Sequence, residues 1–373
     1  MPLAAPRGRE FGRQMIPITK AYMPSLELYS SYLQAIWQEG RLTNNGPLCR
    51  QLASDISGFL GVSNLQLVSS GTIALQLAIK ALGLKGEIIT TPYSYVATTN
   101  AILWAGCEPV FVDIEPQTFC INVDLIEAAI TAETSAILAT HVYGFPCDVT
   151  KIEQLANAYE IKVIYDAAHA FGVRLAGQSI LMEGDCSAVS FHATKVFHTA
   201  EGGALVCRDP ELARRVFLIR QFGHVGEEEY LDVGINAKMS ELHAAMGLCV
   251  LPEVPDIVGH RKECSGWYDE LLNDCPLQRP IAPAGLEYNY AFYPVLFPSH
   301  DVMMKVRLSL LDNGIGPRRY FHPSLNSLPF LSRDMQRACP TSEDVSSRVL
   351  CLPVYAGLSK AVVELICAVI RRA

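Results

Sequence analysis

The chain has 373 residues, half of them hydrophobic and 18% charged, and 30 basic against 38 acidic side chains leave a net charge of −8. That length carries about two domains around a large core, and the composition is that of a globular enzyme. The acidic balance argues against nucleic acid or an anionic membrane surface as partner, but leaves room for a small anionic ligand held locally.

Residues 1–14 bear arginines and no apolar pattern, and read as a leader or flexible arm; the patterned chain begins at Met15. No apolar stretch follows them, which argues against a secretory signal. From about residue 50 to 210 short β-rich runs alternate with helical patterns. Strands are expected at 66–69, 87–91, 109–113, 136–141, 162–166, 187–191 and 204–207. Helices are expected at 72–82, 124–131 and 151–159; in the first, Ile73, Ala74, Leu77, Ala78 and Ala81 share one face. The alternation predicts an α/β fold with a mostly parallel sheet covered on both faces. Beyond Glu241 the pattern changes. A helix over 239–251 stops at Pro252 and Pro255, and another runs over 259–273. A proline-rich crossing, a strand at 290–297 and helices at 302–313 and 359–372 follow. These read as a large domain over 15–250 and a smaller α+β C-terminal domain over 251–373, with the N-terminal segment joining the small one. No uninterrupted apolar run reaches the roughly 18 residues of a membrane-spanning helix. Twelve cysteines stand singly with no Cys-x-x-Cys pair. They argue against a zinc or other metal site and for reduced thiols in a cytoplasmic protein.

Ligands in open α/β folds sit outside the carboxyl ends of the strands, where Ser69, Asp166 and Ser190 fall. Ser69-Ser70-Gly71-Thr72 ends a strand and opens a helix, which suits an anionic phosphate and equally an ordinary N-cap. Tyr95 follows the next strand and reads as a ring-stacking aromatic or as rim packing. Asp166 ends a buried apolar strand and needs a partner there. His169, three residues on, is a site group or a satisfied core histidine. Lys195 lies among Phe191, Ala193, Val196 and Phe197, where desolvation would free its neutral amine. An acid and a lysine, each just past a buried strand, look like the two polar handles of pyridoxal 5′-phosphate (PLP). The lysine would hold the cofactor as a Schiff base, and Asp166 would keep the pyridine nitrogen protonated.

Together these segments resemble the DegT/DnrJ/StrS sugar aminotransferase family of fold-type-I PLP enzymes. The resemblance covers nearly all of residues 16–373. It is carried by Leu42-Thr43-Asn44-Asn45-Gly46-Pro47, Ser70-Gly71-Thr72-Ile73-Ala74-Leu75, Tyr95-Val96-Ala97-Thr98 and His141-Val142-Tyr143-Gly144. It continues in Asp166-Ala167-Ala168-His169, Ser190-Phe191-His192-Ala193-Thr194-Lys195, Glu201-Gly202-Gly203, residues 234–241 and Leu352-Pro353-Val354-Tyr355. The resemblance implies that Lys195 is the Schiff-base lysine, Asp166 the pyridine partner and Tyr95 the stacking aromatic. It implies that Ser70, Gly71, Thr72 and Ser190 hold the phosphate and that His169 lies near the phenolic oxygen. Asn236 matches a residue that reaches the phosphate in the neighbouring subunit, implying a homodimer with shared sites. Lys238 stands where the family often has Arg. His192, Arg220, Lys238, Arg318, Tyr320 and His322 are the candidates for the sugar nucleotide or the glutamate carboxylate.

The implied reaction moves an amino group from L-glutamate to a nucleotide-linked keto sugar. The Leu-Thr-Asn-Asn-Gly-Pro and Asn-Ala-Lys-Met variants look most like the 4-aminotransferases of dTDP-4-keto-6-deoxyglucose in O-antigen pathways. C3 amination of a dTDP-3-keto sugar and a UDP-4-keto-sugar acceptor are the alternatives. An amino-acid aminotransferase would need a rigid arginine clamp, from Arg318 or Arg348, and a regulator or scaffold would need an added module.

Overall fold

The computed structural model describes residues 15–373, so the leader expected over 1–14 lies outside the described residues. Two helices, α1 (Leu26–Glu39) and α2 (Pro47–Leu60), precede the sheet. Strands β1 (Leu65–Val68), β2 (Glu87–Thr90), β3 (Glu108–Phe111), β4 (Thr134–Thr140) and β5 (Lys162–Asp166) follow. After a small hairpin, β6 (Arg174–Leu175) and β7 (Gln178–Ser179), come β8 (Cys186–Ser190) and β9 (Gly203–Cys207). The central sheet has seven strands in the order β1-β9-β8-β5-β4-β2-β3. The four pairings from β8 to β3 are parallel, and β9 is antiparallel to both its neighbours. Helices α3 (Gly71–Ala81), α4 (Ala97–Trp104) and α5 (Val149–Tyr159) connect strands of this sheet, and α6 (Pro210–Ile219) follows β9.

The strands are buried on both faces, as near-continuous apolar runs in parallel sheets require. Their period of two sorts the residues. Ile89, Val110, Ile137, Val163 and Tyr165 join one core. Ile88, Leu138, Ile164, Ala188 and Leu205 join another, against Ala74, Leu75 and Ala78 of α3. All seven strands expected from sequence are present. The helix expected over 124–131 is not; two short 3-10 turns, Val123–Leu125 and Glu127–Ala129, stand there. The Asn122 side chain accepts from the Asp124 N–H, and the chain is extended again by Ile130, too soon for a helix to propagate.

Helices α7 (Glu241–Val250) and α8 (Val254–Leu271) are separated by one turn at Leu251–Glu253. Pro255 sits in the first turn of α8, where its missing N–H costs nothing, so that helix starts earlier than expected. By length and composition Glu241–Leu271 is apolar enough to cross a membrane, which the two prolines conceal in the sequence. Here α7 packs against α1 and α2, and half of the apolar window is buried.

The remaining elements are β10 (Leu286–Glu287), β11 (Tyr293–Leu296), α9 (His300–Asp312), α10 (Pro340–Arg348), β12 (Val349–Leu352) and α11 (Lys360–Arg372). β11 and β12 pair antiparallel. Tyr293, Phe297, Val306, Leu350 and Ile366 close a further core around them. The N-terminal segment runs beside this unit: Ile16 bridges to Ile315, and Ile18 O accepts from Val354 N at 3.1 Å.

Helix α2 begins at Gly46-Pro47 without a capping side chain of its own. The buried Glu241 supplies the cap. Its Oε2 accepts from Leu48 N at 2.8 Å and its Oε1 from Cys49 N at 3.1 Å, placing a negative charge on the positive end of α2. A Cβ at position 46 would come within 2.5 Å of the Glu241 carboxyl carbon, so a larger residue there would push the capping carboxylate aside. Glu241→Ala is therefore expected to lower stability by about 2 kcal/mol. Urea unfolding checks this: the midpoint should fall, whereas an unchanged midpoint would show that the cap is dispensable.

Candidate active site

The carboxyl ends of β1, β2, β4, β5 and β8 and the start of β9 meet at one edge of the sheet, and a cavity of about 420 Å³ opens there. Ser70, Gly71, Thr72, Tyr95, Asp166, His169, Ser190 and Lys195 all line it. Segments far apart in sequence thus converge as expected.

Asp166 is the last residue of β5 and is buried. Its Oδ2 accepts from Thr98 Oγ1 at 2.6 Å and its Oδ1 from Ala168 N at 3.1 Å. Burial raises its pKa, against the lowering effect of those two donors and of Lys195. Lys195 follows β8 in a tight turn in which its N–H donates to His192 O at 2.9 Å. Burial pulls its ammonium pKa down to about 8, with Asp166 opposing. Among the described residues no ion pair holds the lysine, so a neutral fraction is available near neutral pH.

His169 is buried, and its Nδ1 has no hydrogen-bond partner among the described residues. Its ring lies parallel to Phe321 at 5.8 Å and edge-on to Phe292 at 4.7 Å. Burial drives its pKa well below the usual range, so it stands neutral with one ring nitrogen open to a ligand.

At the other end of the cavity Ser70 caps α3, accepting from Ile73 N at 3.2 Å. The N–H groups of the first turn are free by helix geometry, and the dipole favours an anion beside them. The helix start is pressed onto the sheet. A Cβ on Gly71 would come 2.9 Å from Ser190 Cβ, and one on Gly203 would come 2.7 Å from Gly71 N. Small residues are required here so that backbone can reach the ligand. Tyr95 stands at the rim, 56% exposed.

Of the substrate candidates, His192, Arg318 and Tyr320 line the cavity. The Arg318 guanidinium lies 5.0 Å over the Tyr320 ring, and His192 Nε2 lies 3.7 Å from Glu201 Oε1. Arg220 does not join them. It is buried, donates to Leu67 O and, at 3.3 Å, to Asn45 Oδ1, and lines a separate cavity with Asn45, Arg50 and Phe217. Arg220 thus lies outside the cavity of its own chain, as Asn236 and Lys238 do. His322 is also outside: the turn at residues 320–321 brings both Tyr320 and Phe321 to the cavity and leaves His322 exposed. Asn236 and Lys238 lie outside the cavity of their own chain, joined by a 2.7 Å bond from Lys238 Nζ to Asn236 Oδ1.

Sequence reasoning missed Thr98, Ser94 and Thr140 beneath Asp166, and Phe292, Phe321, Glu201 and Thr19 in the lining. The hydroxyl residues sit in apolar surroundings at strand ends and in α4, a pattern that also describes ordinary caps. The residues present fit PLP: a buried carboxylate for a protonated nitrogen, an unpaired lysine amine, an open imidazole nitrogen and a glycine-lined helix start for a phosphate.

The pattern of the DegT/DnrJ/EryC1/StrS aminotransferase family matches residues 27–371. The chain is 41% identical over 358 residues to a dTDP-4-amino-4,6-dideoxy-D-glucose transaminase of Shigella dysenteriae, over 95% of this chain and 98% of the relative. It is 38% identical over 361 residues to a transaminase of the same name from Escherichia coli, over 93% of this chain and 96% of the relative. Among solved structures, DesI in the presence of its TDP-sugar product superposes with a TM-score of 0.91 at 29% identity, over 97% of this chain and 93% of that one. With a lysine, a carboxylate and an anion-binding helix start converging in one cavity, the chain belongs to the DegT/DnrJ/EryC1/StrS family and is a PLP-dependent aminotransferase.

Proposed function

We propose that the protein transfers an amino group from L-glutamate to C4 of dTDP-4-keto-6-deoxy-D-glucose, giving dTDP-4-amino-4,6-dideoxyglucose for O-antigen or related glycan synthesis. We propose further that it acts as a cytoplasmic homodimer. The observation that carries this is the Lys195–Asp166 pair beneath one cavity, in a chain 41% identical to a transaminase named for that amino sugar.

When bound, PLP supplies an electron-withdrawing ring and a carbonyl that carries the amino group between donor and acceptor. In this reading Asp166 holds the proton at the ring nitrogen, and His169 presents a neutral imidazole to the phenolic oxygen. Tyr95 covers the ring face. The start of α3, at Ser70, Gly71 and Thr72, grips the phosphate together with Ser190. Lys195 anchors the cofactor and, as a free amine, moves the proton at the substrate carbon. A pKa near 8 suits both tasks, because the amine is a base and a conjugate acid at comparable populations.

Arg318, Tyr320 and His192 are assigned to the substrate anions and the sugar. Arg318 offers a charged fork beside an aromatic face, a combination that suits a nucleoside diphosphate. In the homodimer the partner's Asn236 completes the phosphate site. Its position outside the cavity of its own chain supports this assignment.

The visible spectrum of the purified protein tests the reaction. The absorbance band should bleach on adding L-glutamate and return on adding dTDP-4-keto-6-deoxyglucose, with product NMR placing nitrogen on C4. Bleaching without return would exclude this acceptor; nitrogen on C3 would correct the regiochemistry. The shared site predicts that mixing Lys195→Ala with Asn236→Ala subunits restores activity above either parent. Verified hybrids with no recovery would contradict it. The lysine also sets a pH dependence. Its neutral form captures PLP, so reconstitution of the apoenzyme should speed up as pH rises, with a midpoint near 8. A midpoint near the ordinary lysine value of about 10.4 would show that burial does not activate the amine.

A further inference from the structure

Asp166 is the end of a row of hydroxyls. Thr98 Oγ1 donates to its Oδ2 at 2.6 Å, Ser94 Oγ lies 2.7 Å from Thr98 Oγ1, and Thr140 Oγ1 lies 3.1 Å from Ser94 Oγ. All four residues are buried. They come from the loop after β2, from α4 and from the ends of β4 and β5. Ser94 and Thr140 border the cavity, while Thr98 stands behind Asp166.

Each hydroxyl has a single proton to give. An ionised carboxylate can only accept, which commits the proton of Thr98 to Asp166. Thr98 then accepts from Ser94, and Ser94 from Thr140. The charge at one end therefore fixes the orientation of the whole row, and hydrogen bonds aligned in this way polarise and strengthen one another.

We propose that Thr140, Ser94 and Thr98 form a positioning relay that weakens Asp166 as a base, so that the proton it shares with the PLP ring nitrogen rests on the ring. The proposal builds on the PLP site described above. Burial alone works the other way and makes the carboxylate more basic, and the Thr98 hydroxyl is the first-ranked influence against it. The Ala168 N–H on Oδ1 and the Lys195 charge act in the same sense as Thr98. His169, the other titratable group on the cavity floor, is held neutral by burial and adds no charge. Without the relay the shared proton would shift toward Asp166, the ring N–H bond giving way to an Oδ–H bond. One proton moves, the ion pair becomes a neutral pair, and the ring loses its pull on electrons.

The test is nitrogen-15 NMR of holoenzyme carrying PLP labelled at the ring nitrogen, titrated with pH, with the visible band confirming full cofactor occupancy. Thr98→Val keeps the shape of the side chain and removes the hydroxyl. It should move the ring-nitrogen resonance of the singly protonated pair toward its unprotonated position, while the pH at which the pair gives up that proton stays the same or rises. Ser94→Ala should move it in the same direction by less, and Thr140→Val by less again. Thr98→Ser should return the wild-type value. Thr99→Val is the control, because Thr99 Oγ1 is buried in the same helix with no hydrogen-bond partner; it should leave the titration unchanged. A Thr98→Val titration identical to wild type would overturn the relay, as would an equal shift in Thr99→Val. Absence of any bound ring-nitrogen signal in the wild type would overturn the PLP reading itself.

Discussion

The organisation of this protein depends on keeping a carboxylate charged where burial disfavours charge. Asp166 is buried at the end of β5, and its two oxygens are met by Thr98 Oγ1 and Ala168 N. Those donors hold it ready for a cationic partner in the cavity. The same low-polarity setting acts on Lys195 in the opposite sense, pulling its pKa down to about 8. One environment thus prepares an acid that stays a base and a base that gives up its proton easily. Neither shift needs a direct ion pair between them; a tight pair would raise the lysine instead of releasing it.

The sheet makes this arrangement possible. Parallel strands deliver their carboxyl ends to a common edge, and the antiparallel β9 inserts Gly203 between Val68 and Ser190 at that edge. Because Gly71, Gly203 and Ser190 are small, the start of α3 lies against the strand ends, where its free N–H groups face an anion. The polar handles proposed for nitrogen, phenolic oxygen and phosphate therefore come from β5, the turn after it, and α3. Residues on either side of β11 close the opposite wall: Phe292 and Phe321 enclose His169, and burial keeps its imidazole neutral.

Much of this was legible in the chain. The apolar runs before Asp166 and Ser190 mark buried strands, and ligands in such sheets gather at their ends, so the lysine, the acid and the small-residue helix start could be named together. What was not legible has physical reasons. Thr98 meets Asp166 across 68 positions in sequence, and a threonine in a helix looks like any other. Arg220 has the chemistry of an anion ligand, but the fold uses it beneath α2, bonded to Leu67 O and Asn45. His322 is left exposed by the turn at residues 320–321, which no periodicity in the sequence marks. Helix α2 carries its signal in Cys49, Leu52, Ile56 and Leu60 at helical spacing, yet its cap comes from Glu241, which no local pattern reveals. The helix expected over 124–131 failed because Asn122 favours a tight turn.

The claim on which the account rests is that Lys195 is the anchor of the cofactor. Borohydride reduction of the holoenzyme, followed by digestion and mass mapping, tests it directly, because reduction makes the link to the lysine permanent. The account predicts the added cofactor mass on the peptide containing Lys195 and on no other. Label on Lys238 or another lysine, or no label in protein that retains its visible band, would contradict it.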